Sequence, residues 1–228
     1  MTRTITIDPI TRLEGHGKIT ILLDDDGEVE RALFQVPELR GFEAFCVGRP
    51  AEDMPQITSR ICGVCPTAHH MAATRALDAL YDVEPTPAAR AVRELFYDLF
   101  VFEDHILHFY FLGGPDFVVG PEAPAPERNV LGVVGKVGLE LGKEVIGIRS
   151  RARAFMRTLG GKPVHPVLGL PGGVSRGLSD DDRAEVRAFG AEAVAFARKT
   201  LGLFHELVLG NPDYLELIRS EAYFDETH

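Results

Sequence analysis

Cysteine is scarce in this sequence, with only three among the 228 residues. Cys46, Cys62 and Cys65 make an odd number, which excludes a small secreted fold held together by disulfides. A signal peptide is not recognisable either, because polar and apolar residues alternate from the start of the sequence up to Asp8-Pro9. We therefore expect the protein to reside in the cytoplasm.

Long apolar runs and concentrations of positive charge are also missing. No uncharged stretch reaches the roughly 18 residues that a membrane span needs, so any membrane contact would have to come through a partner. The 24 basic and 34 acidic side chains give a formal net charge of −10, and the basic ones form no patch, so nucleic acid is not an expected partner. With 45% hydrophobic and 25% charged residues, the composition is that of a folded globular protein.

The spacing of apolar residues changes along the sequence and predicts an α+β fold that is mainly helical. From Thr4 to Val36 apolar residues recur at every second position, which indicates a small antiparallel sheet with a hairpin at Asp26-Gly27. Further on they recur at three- and four-residue steps, which predicts helices over residues 66–80, 87–112, 128–159 and 180–209. We expect a small N-terminal antiparallel sheet followed by a helical bundle.

These elements divide the chain into a sheet and loop region over residues 1–60 and a helical region over residues 61–228. Together the two regions are expected to form a single portion of one domain. The helical run over residues 128–159 contains five glycines, each of which costs about 1 kcal/mol relative to alanine inside a helix. Glycines at this spacing favour a close approach between helices.

The strongest local signal is the segment from Arg60 to His70, which reads RICGVCPTAHH. Two thiols three positions apart can face one metal ion. A helix that begins at Pro66 would place backbone N–H groups beside Cys65, which is expected to lower the pKa of its thiol. His69 lies about one helical turn past Cys65 and can approach the same sulfur.

The spacing of Cys62 and Cys65 alone leaves three interpretations open. A zinc site is compatible with the pair, but zinc takes four ligands and no second pair completes a tetrahedron. A thioredoxin-like redox pair would need a βαβ context, whereas the chain before Cys62 indicates an antiparallel sheet and a loop. A buried, inert pair is the third interpretation.

Four segments in this order and spacing resemble the large, catalytic subunit of nickel–iron hydrogenases. They are DPITRLEGH over residues 8–16, RGFE over residues 40–43, the segment over residues 60–70, and EDHILHFY over residues 103–110. The resemblance covers the whole chain, with a weaker echo in LPGGV over residues 170–174. The form CPxxHH and the lack of an export signal are most similar to the soluble cytoplasmic branches.

The resemblance implies a nickel–iron centre with carbon monoxide and cyanide on the iron. Cys62 would be a terminal nickel ligand, and Cys65 would bridge nickel and iron, because soft thiolates suit such a centre. His69 would hydrogen-bond the bridging sulfur of Cys65.

Three carboxylates receive roles from the same resemblance. Glu14 would carry protons away from the site, since a part-buried carboxylate can accept and release protons near neutrality. Glu43 would ligate a structural magnesium ion, and Asp104 would belong to the polar canopy over the open metal position. Judged without the resemblance, Glu14 is a loop carboxylate, Glu43 a surface charge and Asp104 part of a solvated helix stripe.

The sequence departs from the family pattern in one important respect. The family's large subunit ends with a second cysteine pair, in DPCxxCxxH, and that motif is not found in this sequence, so two thiolates are present where the centre needs four. Cys46 matches no ligand position and is expected to be a buried, inert thiol, while Arg12 and His16 are expected to serve local structure. We therefore expect an N-terminal portion of a longer product, inactive as a separate chain.

Partners follow from the same cysteine count. Three cysteines cannot ligate an ordinary four-cysteine iron–sulfur cluster, so an iron–sulfur small subunit is expected to relay the electrons. The other expected partner is the missing C-terminal half, or a separate chain that carries it. Alternative functions are a non-catalytic, metal-free relative or assembly subunit, and a zinc-stabilised structural domain.

Overall fold

Three short strands at the start of the chain form an antiparallel sheet. The protein is described by a computed structural model over residues 3–11 and 13–220. The strands β1 (Arg3–Ile7), β2 (Lys18–Leu23) and β3 (Val29–Gln35) lie in the order β1-β2-β3. The turn between β2 and β3 contains Gly27 at a φ of +89°, and the Asp24 carboxylate accepts the backbone N–H groups of Asp26 and Glu28. The predicted hairpin is therefore confirmed.

Eight α-helices account for most of the rest of the described chain, which confirms the predicted α+β, mainly helical class. They are α1 (Phe42–Cys46), α2 (Met54–Thr58), α3 (Pro66–Leu80), α4 (Pro87–Leu107), α5 (Val130–Val137), α6 (Leu139–Gly160), α7 (Asp180–Phe204) and α8 (Pro212–Arg219). A second, two-stranded sheet pairs β4 (Gly169–Leu170) with β5 (Gly173–Val174). None of the helices in the described part of the chain has the length and apolarity needed to cross a membrane.

Helices α3, α4 and α7 begin at residues that favour a helix start. Helix α3 begins at Pro66, whose missing N–H costs nothing in the first helical turn. The Thr86 side chain accepts the backbone N–H of Ala89 and caps α4. Before α7, the side chains of Ser179 and Asp182 satisfy each other's backbone N–H groups in a capping box.

The predicted helix over residues 128–159 is instead two helices, separated at Gly138. This glycine has a φ of +93°, a conformation that side-chain-bearing residues rarely adopt, so the helix stops and restarts there. The expected close approach between helices is found at Gly142, where an added Cβ would lie 3.2 Å from the Val134 side chain. The expectation is wrong for Gly135 and Gly147, because both have open space where a Cβ would be.

The helix predicted over residues 87–112 also ends earlier as an α-helix. Its α-helical part stops at Leu107, and wider π-helical turns continue over His108–Gly113. The same change occurs after α7, at His205–Leu209.

The hydrophobic core lies between α4, α6 and α7. Its buried members include Phe96 and Ile106 of α4, Ala152 of α6 and Phe189 of α7. The Phe189 ring packs against Phe155 at a centroid distance of 5.0 Å. Burial of each large apolar side chain contributes about 1.5–3 kcal/mol, so this core determines where α4 lies.

Two buried polar side chains anchor α3 and α4 to the loop that carries β4 and β5. Arg93 of α4 donates to Asp78 of α3 at 2.5 Å and to the carbonyl oxygen of Leu170 at 2.6 Å. His70 of α3 accepts the backbone N–H of Gly169 on Nε2 at 2.9 Å, and its Nδ1 lies 3.2 Å from the carbonyl oxygen of Pro55. Since a carbonyl can only accept, Nδ1 carries the proton and the ring is neutral.

Replacement of Arg93 by methionine should strongly destabilise the protein. The change would leave the largely buried Asp78 carboxylate without its cation, which costs about 3 kcal/mol. Chemical denaturation should show this loss of unfolding free energy. Arg90→Met is the matched control, because the ion pair of Arg90 with Glu84 is exposed and should contribute less than about 1 kcal/mol. Equal losses for the two variants would contradict this account.

His70 should make the stability depend on pH. Burial lowers the pKa of His70 from its usual value of 6.5, so the unfolded chain binds the proton more tightly than the folded one. The stability that comes from the neutral ring is then fully present above pH 6.5 and is lost as the pH falls through the lower, folded-state pKa. Unfolding free energies between pH 5 and 7.5 should fall more steeply on acidification for the parent chain than for His70→Asn; parallel curves would contradict the prediction.

Candidate metal centre

The two cysteines of the CxxC segment lie in a short loop immediately before α3. Cys62 is buried and extended, and Cys65 is half-buried at the position that precedes Pro66. The backbone N–H of Cys65 donates to Sγ of Cys62 at 3.0 Å. This bond folds the loop so that both sulfurs face the same region.

His69 joins the two cysteines in one cluster of potential metal ligands. The ligand atoms of Cys62, Cys65 and His69 all lie within 4.8 Å of one another, and no other group of three such residues occurs in residues 3–11 and 13–220. His69 reaches this place because α3 begins at Pro66 and carries it one turn beyond Cys65. The structure thus brings together the three residues that the sequence placed at the centre.

Glu14 reaches the same cluster from the loop between β1 and β2. The Cys62 thiol donates to Oε1 of Glu14 at 3.2 Å. Glu14 is exposed, so the expectation of a part-buried carboxylate is wrong. A carboxylate that touches a buried sulfur while facing solvent can pass a proton between the two.

The expected lowering of the Cys65 pKa is also wrong. Burial, the hydrogen bond with Cys62 and the negative charges of Glu14 and Asp104 together raise the pKa of Cys65 to about 12. These effects outweigh the backbone N–H groups at the start of α3. A bound cation would act in the opposite sense, because metal coordination favours the thiolate.

Asp104 approaches the cluster from α4. It is half-buried, burial raises its pKa, and its charge acts on Cys65. The preceding residue, Glu103, is buried and accepts hydrogen bonds from Arg149 at 2.5 Å and from Arg153 at 2.9 Å, both on α6.

Glu103 and its two arginines were not predicted from the sequence. The available signal was the spacing of Arg149 and Arg153, which lie four positions apart on one helix face. Their partner could not be identified without the packing of α6 against α4. This cluster joins α4 to α6 at the residue next to Asp104.

The remaining candidate residues lie outside the cluster. Glu43 is exposed in the first turn of α1 and does not belong to the ligand group, so the magnesium site stays a prediction. Cys46 is a free thiol but half-buried, so the expectation of full burial is wrong. His16 lies 3.9 Å from Asp8, which fits a local structural contact, and Arg12 lies outside the described residues.

Comparisons with known proteins agree with this set of residues. A family model described as nickel-dependent hydrogenase matches residues 40–126, and one described as HoxL-like matches residues 4–39. An F420-non-reducing hydrogenase iron-sulfur subunit of Archaeoglobus profundus is 48% identical over 221 residues, which cover 97% of this chain and 46% of that protein. The chain belongs to the nickel-dependent hydrogenase family.

Further members of this family show the same partial coverage. The NAD-reducing hydrogenase HoxS subunit beta of Cupriavidus necator is 36% identical over 80% of this chain and 38% of its own length. The crystal structure of an NAD+-reducing NiFe-hydrogenase in the H2-reduced state superimposes with a TM-score of 0.72 at 38% identity, over 91% of this chain and 48% of that one. The Ni-Fe-Se hydrogenase from D. vulgaris Hildenborough gives a TM-score of 0.69 at 31% identity, over 88% and 43%.

The fold therefore matches that of nickel–iron hydrogenase large subunits. The chain spans about half the length of the curated relatives it matches. Membership of this family implies a nickel–iron centre, and the donor set fits one, because two thiols and an imidazole converge within 4.8 Å.

Removal of the Glu14 charge should make Cys65 more reactive. Glu14 contributes to the raised pKa of Cys65 through its negative charge, so Glu14→Gln should lower that pKa and increase the thiolate fraction. Alkylation of Cys65 at pH 8.5, followed by mass spectrometry, should then be roughly two- to threefold faster. Glu43→Gln is the control and should leave the rate unchanged; an unchanged rate in Glu14→Gln would contradict the assignment.

Proposed function

We propose that this chain forms part of the catalytic subunit of a nickel–iron hydrogenase that reversibly oxidises H2 to protons and electrons. The observation that carries the proposal is the convergence of Cys62, Cys65 and His69, with Glu14 at 3.2 Å from Cys62, in a member of the nickel-dependent hydrogenase family. The chain alone is expected to be inactive, since it supplies two of the four thiolates.

Cys62 and Cys65 are the residues that would hold the nickel–iron centre, with carbon monoxide and cyanide as the further ligands of iron. Their sulfur atoms are soft donors of the kind that late transition metals prefer. When bound, the centre supplies a redox-active Lewis acid that polarises H2. His69 would donate a hydrogen bond to the Cys65 sulfur and so tune its basicity, which is supported by the ring nitrogen lying within 4.8 Å of that sulfur.

Glu14 is the proposed proton carrier. Its Oε1 already accepts a hydrogen bond from the Cys62 thiol, which is the geometry that transfer from sulfur to oxygen requires. Because Glu14 is exposed, the carboxyl group can release the proton to water or to a further acceptor. In this proposal, the loop between β1 and β2 supplies the group that accepts the proton from sulfur.

Asp104 and Glu43 have supporting roles in this proposal. Asp104 is half-buried on α4 and acts electrostatically on Cys65, which supports a place in the polar lining of the site. Glu43 would ligate a structural magnesium ion together with water and groups from another part of the protein, since magnesium prefers carboxylate oxygen and water.

The electrons need a separate route. With three cysteines, the chain cannot bind the centre and also ligate a four-cysteine cluster, so an iron–sulfur small subunit would carry them. We propose that this partner docks near the CxxC loop, where the distance to the centre is shortest. The second partner is the polypeptide with the remaining two thiolates, and the assembly would reside in the cytoplasm.

Metal analysis of the assembled protein, purified without air, tests the proposal. About one nickel per assembly is expected, and Cys62→Ser or Cys65→Ser should lose nickel together with at least a 100-fold decrease in hydrogen uptake. Glu14→Gln should keep the nickel and lose uptake, because only proton transfer is affected.

Cys46→Ser is the matched control and should retain both nickel and activity. Zinc alone would point to a structural zinc domain, since cysteine sulfur and histidine nitrogen are also ligands of zinc. An assembly without metal would point to a non-catalytic role. Either result, or full uptake in Cys62→Ser, would refute the proposal.

A further inference from the structure

A short segment of the chain, residues 165–169, is joined by side chains to residues 55–59, which lead into the CxxC loop. The Gln56 side chain donates to the carbonyl oxygen of Pro166 at 3.1 Å. His70 forms a second link, because its ring makes hydrogen bonds with the backbone of both segments. Side chains therefore connect the two segments at two places.

His165 forms a third link, at the end of the segment nearest the cysteines. Burial lowers the pKa of His165 from its usual value of 6.5 and favours the neutral ring, whereas a hydrogen bond with the backbone of Ser59 favours the protonated ring. A hydrogen bond has that effect when the ring donates and a carbonyl oxygen accepts. The His165 ring therefore donates to the carbonyl oxygen of Ser59, a residue that is fully buried.

The conformation of His165 is unfavourable in two respects. Its backbone has a φ of +54°, in the left-handed region, although the next residue is Pro166 and residues before a proline are normally extended. Its Nδ1 atom is buried and has no hydrogen-bond partner among the residues that the structure describes, so the nitrogen that donates to Ser59 is Nε2. Both features disfavour a histidine chosen for stability alone, and such features are concentrated at functional sites.

A single turn, Ser59–Ile61, connects the His165 contact to Cys62. Ser59 is the C-cap of α2, and the last carbonyl groups of a helix have no partner within the helix. The His165 ring supplies a partner for one of them. The Cys62 sulfur, directly after the turn, accepts the N–H of Cys65 at 3.0 Å. Movement of the turn would therefore move the sulfur and break this bond.

We infer that His165 is a positioning residue, which fixes Cys62 at the candidate metal centre by holding the carbonyl oxygen of Ser59. The segment that carries His165 is itself anchored, because the N–H of Val167 donates to the carbonyl oxygen of Gly160 at the end of α6, at 2.9 Å. The inference rests on the proposed function for the role of Cys62 as a metal ligand.

Two substitutions of His165 separate positioning from general stability. Glutamine places its amide nitrogen near the position of Nε2, so His165→Gln can still donate to Ser59. Asparagine is shorter and places its amide near the position of Nδ1, so His165→Asn cannot. Asparagine adopts the left-handed region more readily than glutamine does, so stability alone favours His165→Asn, whereas positioning favours His165→Gln.

Alkylation by iodoacetamide in the 228-residue chain measures how firmly Cys62 is held. Cys62 is buried, so its reaction requires local opening, and Cys46 in the same molecule is the internal reference. Relative to Cys46, Cys62 should react about fivefold faster in His165→Asn, as expected for the loss of one hydrogen bond, and within about twofold of the parent rate in His165→Gln. Unfolding in urea should show His165→Asn to be at least as stable as His165→Gln.

Gln56→Met tests the same support at a position without the strained backbone. It removes the bond to Pro166 and should also accelerate the reaction of Cys62 about fivefold. Tyr110→Phe is the matched control, because it removes a hydrogen bond of similar burial, with Thr200, and should leave the relative rate of Cys62 unchanged. Circular dichroism checks that each variant is folded.

Three results would overturn the inference. These are equal rates for His165→Asn and His165→Gln, unchanged rates for both His165→Asn and Gln56→Met, and an equal acceleration in Tyr110→Phe. None of these measurements requires nickel, so their failure is distinguishable from failure of the proposed function, which is judged by nickel content and hydrogen uptake.

Discussion

The position of α3 is the constraint on which the candidate centre depends. This helix carries His69 and begins directly after Cys65, so any rotation of α3 would separate the three ligand atoms. Two buried contacts prevent such a rotation: His70 binds Gly169 near the start of the helix, and Asp78 binds Arg93 near its end. The loop with β4 and β5 contributes to both contacts, and it thereby supports a site from which it is remote in sequence.

The surroundings of Cys65 disfavour a thiolate when no cation is bound beside it. Cys65 is partly desolvated and lies near the carboxylates of Glu14 and Asp104, and each of these effects favours the protonated sulfur. The same carboxylates attract a cation. The arrangement is therefore suited to bind a metal ion whose charge is shared among sulfur and nearby oxygen atoms. Next to Asp104 on α4, Glu103 is paired with Arg149 of α6.

The elements that sequence reasoning predicted well are those with strong local signals. Helix α3 has the predicted bounds because Pro66 determines its start, and the first hairpin follows from the turn at Gly27. Cys62, Cys65 and His69 could be grouped because they lie within eight positions of one another.

The failures occurred where distant contacts decide the outcome. Gly138 could not be distinguished from a helical glycine without its backbone conformation, and the five-residue helices α1 and α2 are too short to show a period. The partner of Glu103 and the raised pKa of Cys65 depend on burial and on neighbours from other elements, so local sequence could not supply them. The roles of Glu43 and of the magnesium ion remain predictions for the same reason.

The loop between β1 and β2 is closed by a hydrogen bond from the Ile10 N–H to the carbonyl oxygen of Gly17 at 2.9 Å. This bond ties the two ends of the loop together. Between them, Leu13 lies close to Gly17, and the next residue, Glu14, accepts the hydrogen bond of the Cys62 thiol. A displacement of either end of the loop would therefore move the carboxylate away from the sulfur, so the contact between Glu14 and Cys62 depends on the N-terminal sheet that holds both ends.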